Sequence, residues 1–288
     1  MRYAFIQEHT GRWKVVTMCR VLMVSKAGYY AWRKRPTSAR AKRDHDLRFH
    51  IVAFHRKSRG RYGSRPILRD LRDIGERVGR KRIVRIMRAA EIHGKRRRAF
   101  RVTTDSNHML PVCDNLLDRH FAPAEIEASD RAWAGDITYI STREGWLYLA
   151  VVLDLFSRRV IGWSMSHSLE SRIVIDALKM ALERRGTHGA VLFHSDRGSQ
   201  YASEAMQRFH ERHYVVGSMS RKGNCWDNAV VESFFSTMKR ELDDPVFDSR
   251  EHARTVLFEY IEIWYNRQRR HSTLGYVSPE QFELNQAA

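Results

Sequence analysis

Three acidic residues lie in long sequence contexts whose residue types could carry phosphodiester chemistry. Asp136 lies within Trp-Ala-Gly-Asp-Ile-Thr-Tyr-Ile, and Asp196 lies within His-Ser-Asp-Arg-Gly-Ser-Gln-Tyr. Glu232 lies within Gly-Asn-Cys-Trp-Asp-Asn-Ala-Val-Val-Glu-Ser-Phe-Phe, with 35 residues between Asp196 and Glu232. Carboxylates gathered at one point repel each other unless a cation lies between them, and Mg²⁺ prefers such hard oxygen ligands. Because paired Mg²⁺ ions stabilise both attack and departure at phosphorus, the sequence predicts phosphodiester chemistry.

These contexts resemble those of the DDE transposases of bacterial insertion sequences, of the type encoded by the second of two overlapping reading frames. The resemblance runs from about Gly28 to Phe282 and includes the segments 220–229 and 265–276. It implies a core similar to the retroviral integrase catalytic domain: an α/β, ribonuclease-H-like fold with a mixed five-stranded sheet flanked by helices. It also implies DNA cleavage and strand transfer at the ends of an insertion sequence, without a covalent protein–DNA intermediate.

The resemblance assigns roles to individual side chains. Asp136, Asp196 and Glu232 are expected to be catalytic and to hold two divalent ions, Mg²⁺ or Mn²⁺. On a helix, Asn228, Glu232 and Lys239 lie within about 40° of a common line, which predicts a polar stripe beside DNA. In this family the basic residue seven positions after the glutamate contacts DNA near the cleaved end. Asn228 and Lys239 are therefore expected to bind DNA.

Two other polar residues near these motifs have a more ordinary interpretation. Asp154 also ends an apolar strand and competes with Asp196 as second aspartate, but its context differs from the family's second motif. We expect it to cap the turn at Ser157-Arg158. His194 precedes Asp196 by two residues and is expected to be packed in the core rather than to bind metal.

The charge of the chain is strongly segregated. The net charge is +18, yet residues 1–100 hold 29 Lys/Arg against 7 Asp/Glu, while residues 101–288 hold 22 against 26. Such a distribution indicates an amino-terminal region that contacts a polyanion. The basic stretches lack the apolar face of a membrane-surface helix, so nucleic acid is favoured over an anionic membrane.

A helix-turn-helix pattern lies within this basic region. We expect Ser64 to cap a first helix with Pro66 in its first turn, and residues 74–79 to form the turn. The second helix then presents basic side chains that could enter the major groove. An alternative stays open, a solvated basic face that touches only phosphates. The side chains expected to bind DNA are Arg80, Lys81, Arg82, Arg85 and Arg88.

Hydrophobic periodicity places the remaining elements. Strands are predicted at 133–141, 146–154, 160–166, 190–194 and 215–220. Helices are predicted at 13–22, through residues 29–32 after a cap at Ser25, and at about 46–57, 168–185, 199–212, 227–242 and 250–269. The predicted domains are a basic helical region at 1–100, a linker at 101–128, the catalytic core at 129–245 and a helical extension of the core at 246–288.

The expected partners follow from these assignments. They are double-stranded DNA, both the terminal repeats and the target, further copies of the chain assembled on DNA, and the product of the upstream frame. Three scattered cysteines and the lack of an apolar run of about 18 residues predict a cytoplasmic protein without a membrane partner. Two rival functions are a nuclease of ribonuclease-H type and a non-catalytic DNA-binding repressor.

Overall fold

A mixed five-stranded sheet forms the centre of the catalytic region. The computed structural model describes residues 1–95, 113–186, 190–221, 225–243 and 246–287. The strands are β1 Ala132–Thr142, β2 Gly145–Asp154, β3 Val160–Ser166, β4 Val191–Ser195 and β5 Val215–Met219. Their order in the sheet is β3-β2-β1-β4-β5, with β2 antiparallel to β1 and β3, and β4 parallel to β1 and β5. This arrangement confirms the predicted fold class.

Helices precede the sheet and cover both of its faces. The α-helices of the described residues are α1 Arg2–Glu8, α2 Val15–Val21, α3 Lys26–Lys34, α4 Ala39–Lys57, α5 Ser64–Asp73, α6 Arg80–Ala89, α7 Pro123–Ile126, α8 Ser171–Arg185, α9 Glu204–His213, α10 Ala229–Glu241, α11 Arg250–Phe258 and α12 Pro279–Ala287. One face of the sheet is covered by α8 and α9, and the other by α10 and α11. Apolar side chains on both faces explain why β2 is a nearly continuous apolar run.

Two glycines allow close packing against the sheet. A Cβ atom on Gly135 would lie 2.4 Å from the Phe193 ring, and one on Gly162 would lie 2.1 Å from the carbonyl oxygen of Ala177. Gly135 thus lets a large β4 side chain lie across β1 beside Asp136. Gly162 brings α8 down onto β3.

The amino-terminal helices belong to two hydrophobic clusters. Helices α1–α3 enclose a small core of their own, made by Ile6, Met18, Cys19 and Tyr29. Helices α4–α6 instead share the large core beneath α10 and α11. The link is also polar, since Arg270 donates from its backbone nitrogen to the Tyr62 hydroxyl and from Nε to Asp70 at 2.8 Å.

Several details differ from the expectations. Gly63, with an extended backbone, is the N-cap of α5 and Ser64 is its first helical residue, and the Ser64 hydroxyl accepts a hydrogen bond from Arg80 Nε. Helix α1 was not predicted. The helix expected over 250–269 is α-helical only to Phe258 and continues as a π-helix over Glu259–Tyr265, which a periodicity of 3.6 residues does not anticipate.

Part of the predicted linker is packed against the sheet. Ser218 Oγ accepts hydrogen bonds from the backbone nitrogens of Leu116 and Leu117, and the Met219 nitrogen donates to Asp114 O. The predicted linker residues 101–112, and the basic residues 96–98 before them, lie outside the described part of the chain. Within the described part, none of the helices has both the length and the apolarity needed to cross a bilayer.

Candidate active site

Asp136 and Asp196 lie on neighbouring strands at the same level of the sheet. The parallel pairing of β1 with β4 places Ala134 opposite His194, two residues before each aspartate. Asp136 is half-buried within β1, and Asp196 directly follows β4. Gly198 donates its backbone hydrogen to Asp196 Oδ1 at 2.9 Å, which tightens the turn after β4. The two aspartates are distant in sequence but lie near each other, because the chain crosses over and returns β4 beside β1.

Glu232 approaches the two aspartates from α10. Val231, Phe234 and Met238 bury the opposite side of this helix in the core, so Glu232 lies on a partly exposed face. Asn228, immediately before α10, donates from Nδ2 to the carbonyl oxygen of Gly135 at 3.2 Å. Because Gly135 precedes Asp136, this hydrogen bond ties the start of α10 to the strand at the first aspartate.

The carboxylates interact electrostatically. Burial raises the pKa of Asp136 well above its ordinary value, and the charges of Asp196 and Glu232 raise it further. Burial also raises the pKa of Glu232, again with a contribution from Asp196. The described residues contain no group of three or more His, Cys, Asp or Glu side chains with the spacing of a formed metal site. The carboxylates are thus close enough to repel one another without having converged on a common point.

Lys239 supplies a positive charge beside this acidic group. Its side chain is exposed, and its charge counteracts the rise in the pKa of Asp136. Partial desolvation lowers the pKa of Lys239 itself, while Asp136 opposes that shift. Lys239 lies two turns after Glu232 on α10.

Tyr201 contributes a buried hydroxyl that the sequence reasoning missed. The residue is 3% exposed, and its Oη has no hydrogen-bond partner among the described residues. Burial raises the pKa of Tyr201 well above its ordinary value, and the charges of Asp136 and Asp196 raise it further. The hydroxyl therefore stays protonated near both aspartates. Its only signal in the sequence is that it ends the Asp196 motif.

Asp227 anchors the segment that leads into α10 and was also missed. Its side chain is fully buried and accepts hydrogen bonds from Asn115 Nδ2, from Arg119 Nε, and from the backbone and guanidinium of Arg221, all at 2.9–3.1 Å. The Arg221 hydrogen bonds, with a further one from Arg119, hold the pKa of the Asp227 carboxyl well below its ordinary value. This network joins the end of the linker to the loop before Glu232.

Glu241 fastens the other end of α10. It is 4% exposed and accepts hydrogen bonds from Tyr260 Oη, Trp264 Nε1 and Arg269 Nε at 3.0–3.1 Å. The charge and hydrogen bonds of Arg269 outweigh burial and lower the pKa of Glu241. Both ends of the helix that carries Glu232 are thus held by buried polar groups.

Asp154 and His194 have the structural roles expected of them. Asp154 Oδ1 accepts hydrogen bonds from the Ser157 nitrogen at 2.7 Å and the Ser157 hydroxyl at 2.9 Å, so it caps the turn after β2. His194 is 1% exposed and contacts the hydroxyls of Ser218 and Ser220. Burial lowers the pKa of His194 to about 4, which keeps it neutral in the core.

The residues expected to bind DNA differ in their exposure and in the contacts that they already make within the protein. Asn228 is 4% exposed and its Nδ2 donates to the carbonyl oxygen of Gly135, so its side chain lies off the exposed face of the helix. Arg82 and Arg85 both donate to Asp44 on α4, whose pKa their hydrogen bonds lower. These contacts hold α6 against α4. The exposed residues are Arg80, Lys81, Arg85, Arg88 and Lys239.

Comparison with known families and proteins agrees with this geometry. The family described as Integrase core domain matches residues 127–225 and 215–279, and the HTH-like domain matches residues 42–100. Transposase InsF for insertion sequence IS3A, from Escherichia coli (strain K12), is 45% identical over 287 residues, which cover 98% of each chain. The chain belongs to the IS3 transposase family.

Other similarities are consistent with that membership. The insertion element IS600 31 kDa protein of Shigella sonnei is 42% identical over 266 residues, covering 92% of this transposase and 97% of that protein. The HTLV-2 integrase catalytic core domain in complex with magnesium covers 54% of the transposase at 19% identity, with a TM-score of 0.41. That structural likeness is too distant to support an argument. Family membership confirms the predicted resemblance, the polynucleotidyl transferase class and binding to DNA.

Proposed function

We propose that Asp136, Asp196 and Glu232 are the catalytic residues with which the transposase cleaves DNA at the ends of its insertion sequence and joins those ends to target DNA. The observation that carries the proposal is the placement of the three residues: the β1–β4 register brings Asp136 and Asp196 to the same level of the sheet, and the helix of Glu232 is tied to β1 beside Asp136. Burial is the largest cause of the raised pKa values of Asp136 and Glu232, and neighbouring carboxylates add to both, while Lys239 partly offsets the rise in the pKa of Asp136. Repulsion of this kind is the signature of a site prepared for a cation.

The donor set fits hard divalent cations. Asp136, Asp196 and Glu232 offer carboxylate oxygens, the ligands that Mg²⁺ and Mn²⁺ prefer, and we infer two ions. Bound ions would supply Lewis-acid stabilisation of charge on the phosphate oxygens. The protein itself contributes position: Asn228 sets the start of α10 against β1, and Glu241 holds its far end. The protonated Tyr201 hydroxyl can donate a hydrogen bond within the site.

Exposed cations beside these groups fit DNA phosphates. Lys239 would hold the strand that enters the site, and Arg80, Lys81 and Arg88 would contact duplex DNA from α6. Arg82 and Arg85 would act chiefly by holding α6 against α4, because Asp44 engages both. Asn228 would position the start of α10 against β1 rather than contact DNA.

The proposal includes the setting in which the reaction occurs. Joining two ends requires more than one subunit, so the transposase would act as a multimer on terminal and target DNA. The reaction would take place in the cytoplasm. The product of the upstream frame would be a further partner. The basic region 1–100 would bind DNA, and residues 101–128 would connect it to the core at 129–245. Residues 246–288 would extend that core.

Replacement of Glu232 tests the assignment. The chain, alone and fused to the upstream-frame product, would be incubated with Mg²⁺ or Mn²⁺ and a labelled duplex that carries the terminus of the element. Glu232→Ala should lose cleavage and joining while retaining DNA binding. Glu183→Ala, which removes an exposed glutamate from α8, is the matched control and should behave as wild type.

The other results lead to different conclusions. Joining by Glu232→Ala would overturn the catalytic assignment. Cleavage without joining by the wild type would favour the nuclease, and binding without either reaction would favour the repressor.

A further inference from the structure

The first 35 residues form a small helical unit with its own core. Ile6, Met18, Cys19 and Tyr29 are all at most 5% exposed and enclose one another. The Tyr29 hydroxyl donates to Gln7 Oε1 at 2.8 Å, which ties α3 to α1. Among the described residues, none of the hydrogen bonds or ion pairs joins residues 1–35 to the remainder of the chain. The HTH-like match begins only at residue 42.

Helices α2 and α3 have the connection of a helix-turn-helix. Residues 22–25 separate them, a turn of the length that this motif uses. Met23 has a φ of +52°, the left-handed conformation that reverses the chain after a helix. Ser25 then caps α3, because its Oγ accepts a hydrogen bond from the Gly28 nitrogen at 2.9 Å. The chain therefore stops one helix and starts the next within four residues.

The inner face of α3 is fixed against α1. A Cβ atom on Gly28 would lie 2.4 Å from the Tyr3 hydroxyl, so this position requires glycine for close approach. The rings of Tyr29 and Trp32 lie 6.3 and 5.9 Å from that of Tyr3. These contacts determine which side of α3 faces outward.

The outward face of α3 is basic. At 100° per residue, the exposed Lys26 and Lys34 lie about 80° apart on the side opposite the Tyr3 contacts, while Tyr30 between them is partly buried against the core of this unit. The guanidinium of Arg33 lies 5.3 Å from the centre of the Tyr30 ring. Residues 1–35 hold eight Lys/Arg and a single acidic residue, Glu8. Arg82 and Arg85 of α6 both pair with Asp44, whereas among the described residues no ion pair engages Lys26 or Lys34.

We propose that residues 1–35 are a second DNA-binding module, which places the outer face of α3 in the major groove of duplex DNA. The inference rests on the proposed function, because the DNA is the end of the element. A short basic helix held after a tight turn is the shape that fits this groove, and its lysines complement the phosphates on either side. Each chain would then contact two segments of one terminus, one through α3 and one through α6.

The test is a footprint of the full-length chain on a duplex that carries the terminus. The variant K26A/K34A removes two exposed charges from α3, and K179A/R212A removes two from the exposed surfaces of α8 and α9 as the matched control. We expect K26A/K34A to lose protection over one segment and keep the other, with affinity reduced at least tenfold. Loss of two phosphate contacts should also reduce the slope of log affinity against log salt by about 1.8.

Two results would overturn the proposal. One is a footprint and affinity for K26A/K34A equal to those of the control pair. The other is a changed oligomeric state with an unchanged footprint, which would make α3 a contact between protein chains. The footprint needs neither metal nor cleavage, so it can fail while the carboxylate assignment stands, and joining by Glu232→Ala can overturn that assignment while the footprint is as expected.

Discussion

Asn228→Ala should perturb the relative position of the three carboxylates proposed as catalytic without removing any of them. Asn228 is 4% exposed, and its Nδ2 donates to Gly135 O at 3.2 Å, one residue before Asp136. Glu232 lies one helical turn beyond Asn228. Loss of this hydrogen bond therefore frees the start of α10 to move relative to β1, which changes the separation between Asp136 and Glu232.

The size of the effect follows from the buried hydrogen bond. Its loss costs about 1 kcal/mol of folding free energy, and up to about 3 kcal/mol if the Gly135 carbonyl is left without a partner. About 1.4 kcal/mol corresponds to a tenfold change in rate, and displacement of a reacting group by about 1 Å can cost 100-fold. We expect cleavage by Asn228→Ala to be about 10- to 100-fold slower, with DNA affinity changed less than about twofold.

The assay measures single-turnover cleavage of a terminal duplex across a Mg²⁺ titration, with rates divided by the folded fraction. Asn266→Ala is the control, because Asn266 is 2% exposed and makes two hydrogen bonds to Val160 on β3, at 3.0 and 2.9 Å. It should lose at least as much stability as Asn228→Ala, yet cleave at the wild-type rate per folded molecule. Only Asn228→Ala should require more Mg²⁺ for half of its maximal rate.

Equal rates and equal Mg²⁺ requirements for the two variants would refute the positioning role of Asn228. Weakened DNA binding by Asn228→Ala, with a normal rate at saturating DNA, would restore the DNA-contact role expected from the sequence.

The remaining predictions concern pH, the buried end of α10 and salt. Burial and mutual repulsion raise the pKa values of Asp136 and Glu232 above 3.8 and 4.5, so the metal-free fold binds protons more tightly than the unfolded chain. Its free energy of unfolding in urea should fall as pH rises from about 4 through these raised values, and less so in Asp136→Asn. Glu241→Gln should destabilise the fold by about 3 kcal/mol in urea, because it leaves the Arg269 charge unpaired and buried; an unchanged midpoint would contradict this. Affinity of the full chain for duplex DNA should fall linearly on a log–log plot against salt, and a flat response would exclude the electrostatic interpretation.

Much of the fold could be predicted from local pattern. The apolar run of β2 and the alternation of strand and helix after it are properties of contiguous residues, and the five strands lie close to their predicted positions. Departures occur where local pattern is ambiguous. The π-helix over Glu259–Tyr265 keeps an apolar face like that of an α-helix, and α5 begins one residue earlier than predicted, with Gly63 rather than Ser64 as its N-cap.

Some residues of the candidate site could be predicted from the sequence, and others could not. Asp136, Asp196 and Glu232 could be selected from the sequence because each lies in a long context characteristic of the family. The partners of Asp227 could not be, because Asn115 is 112 residues away along the chain. Arg82 and Arg85 resembled DNA ligands in the sequence, and only the packing of α4 against α6 showed that Asp44 holds both.

The sequence by itself determined the family and the order of strands and helices along the chain, and it singled out the three carboxylates proposed as catalytic. Only the tertiary structure decided which of the polar side chains are exposed and which are buried or hydrogen-bonded to other parts of the protein. The physical reason is that burial and hydrogen bonding depend on distances between residues remote in sequence. Asn228 shows this most clearly, since its burial and its hydrogen bond to Gly135, 93 residues away along the chain, could not be predicted from the sequence.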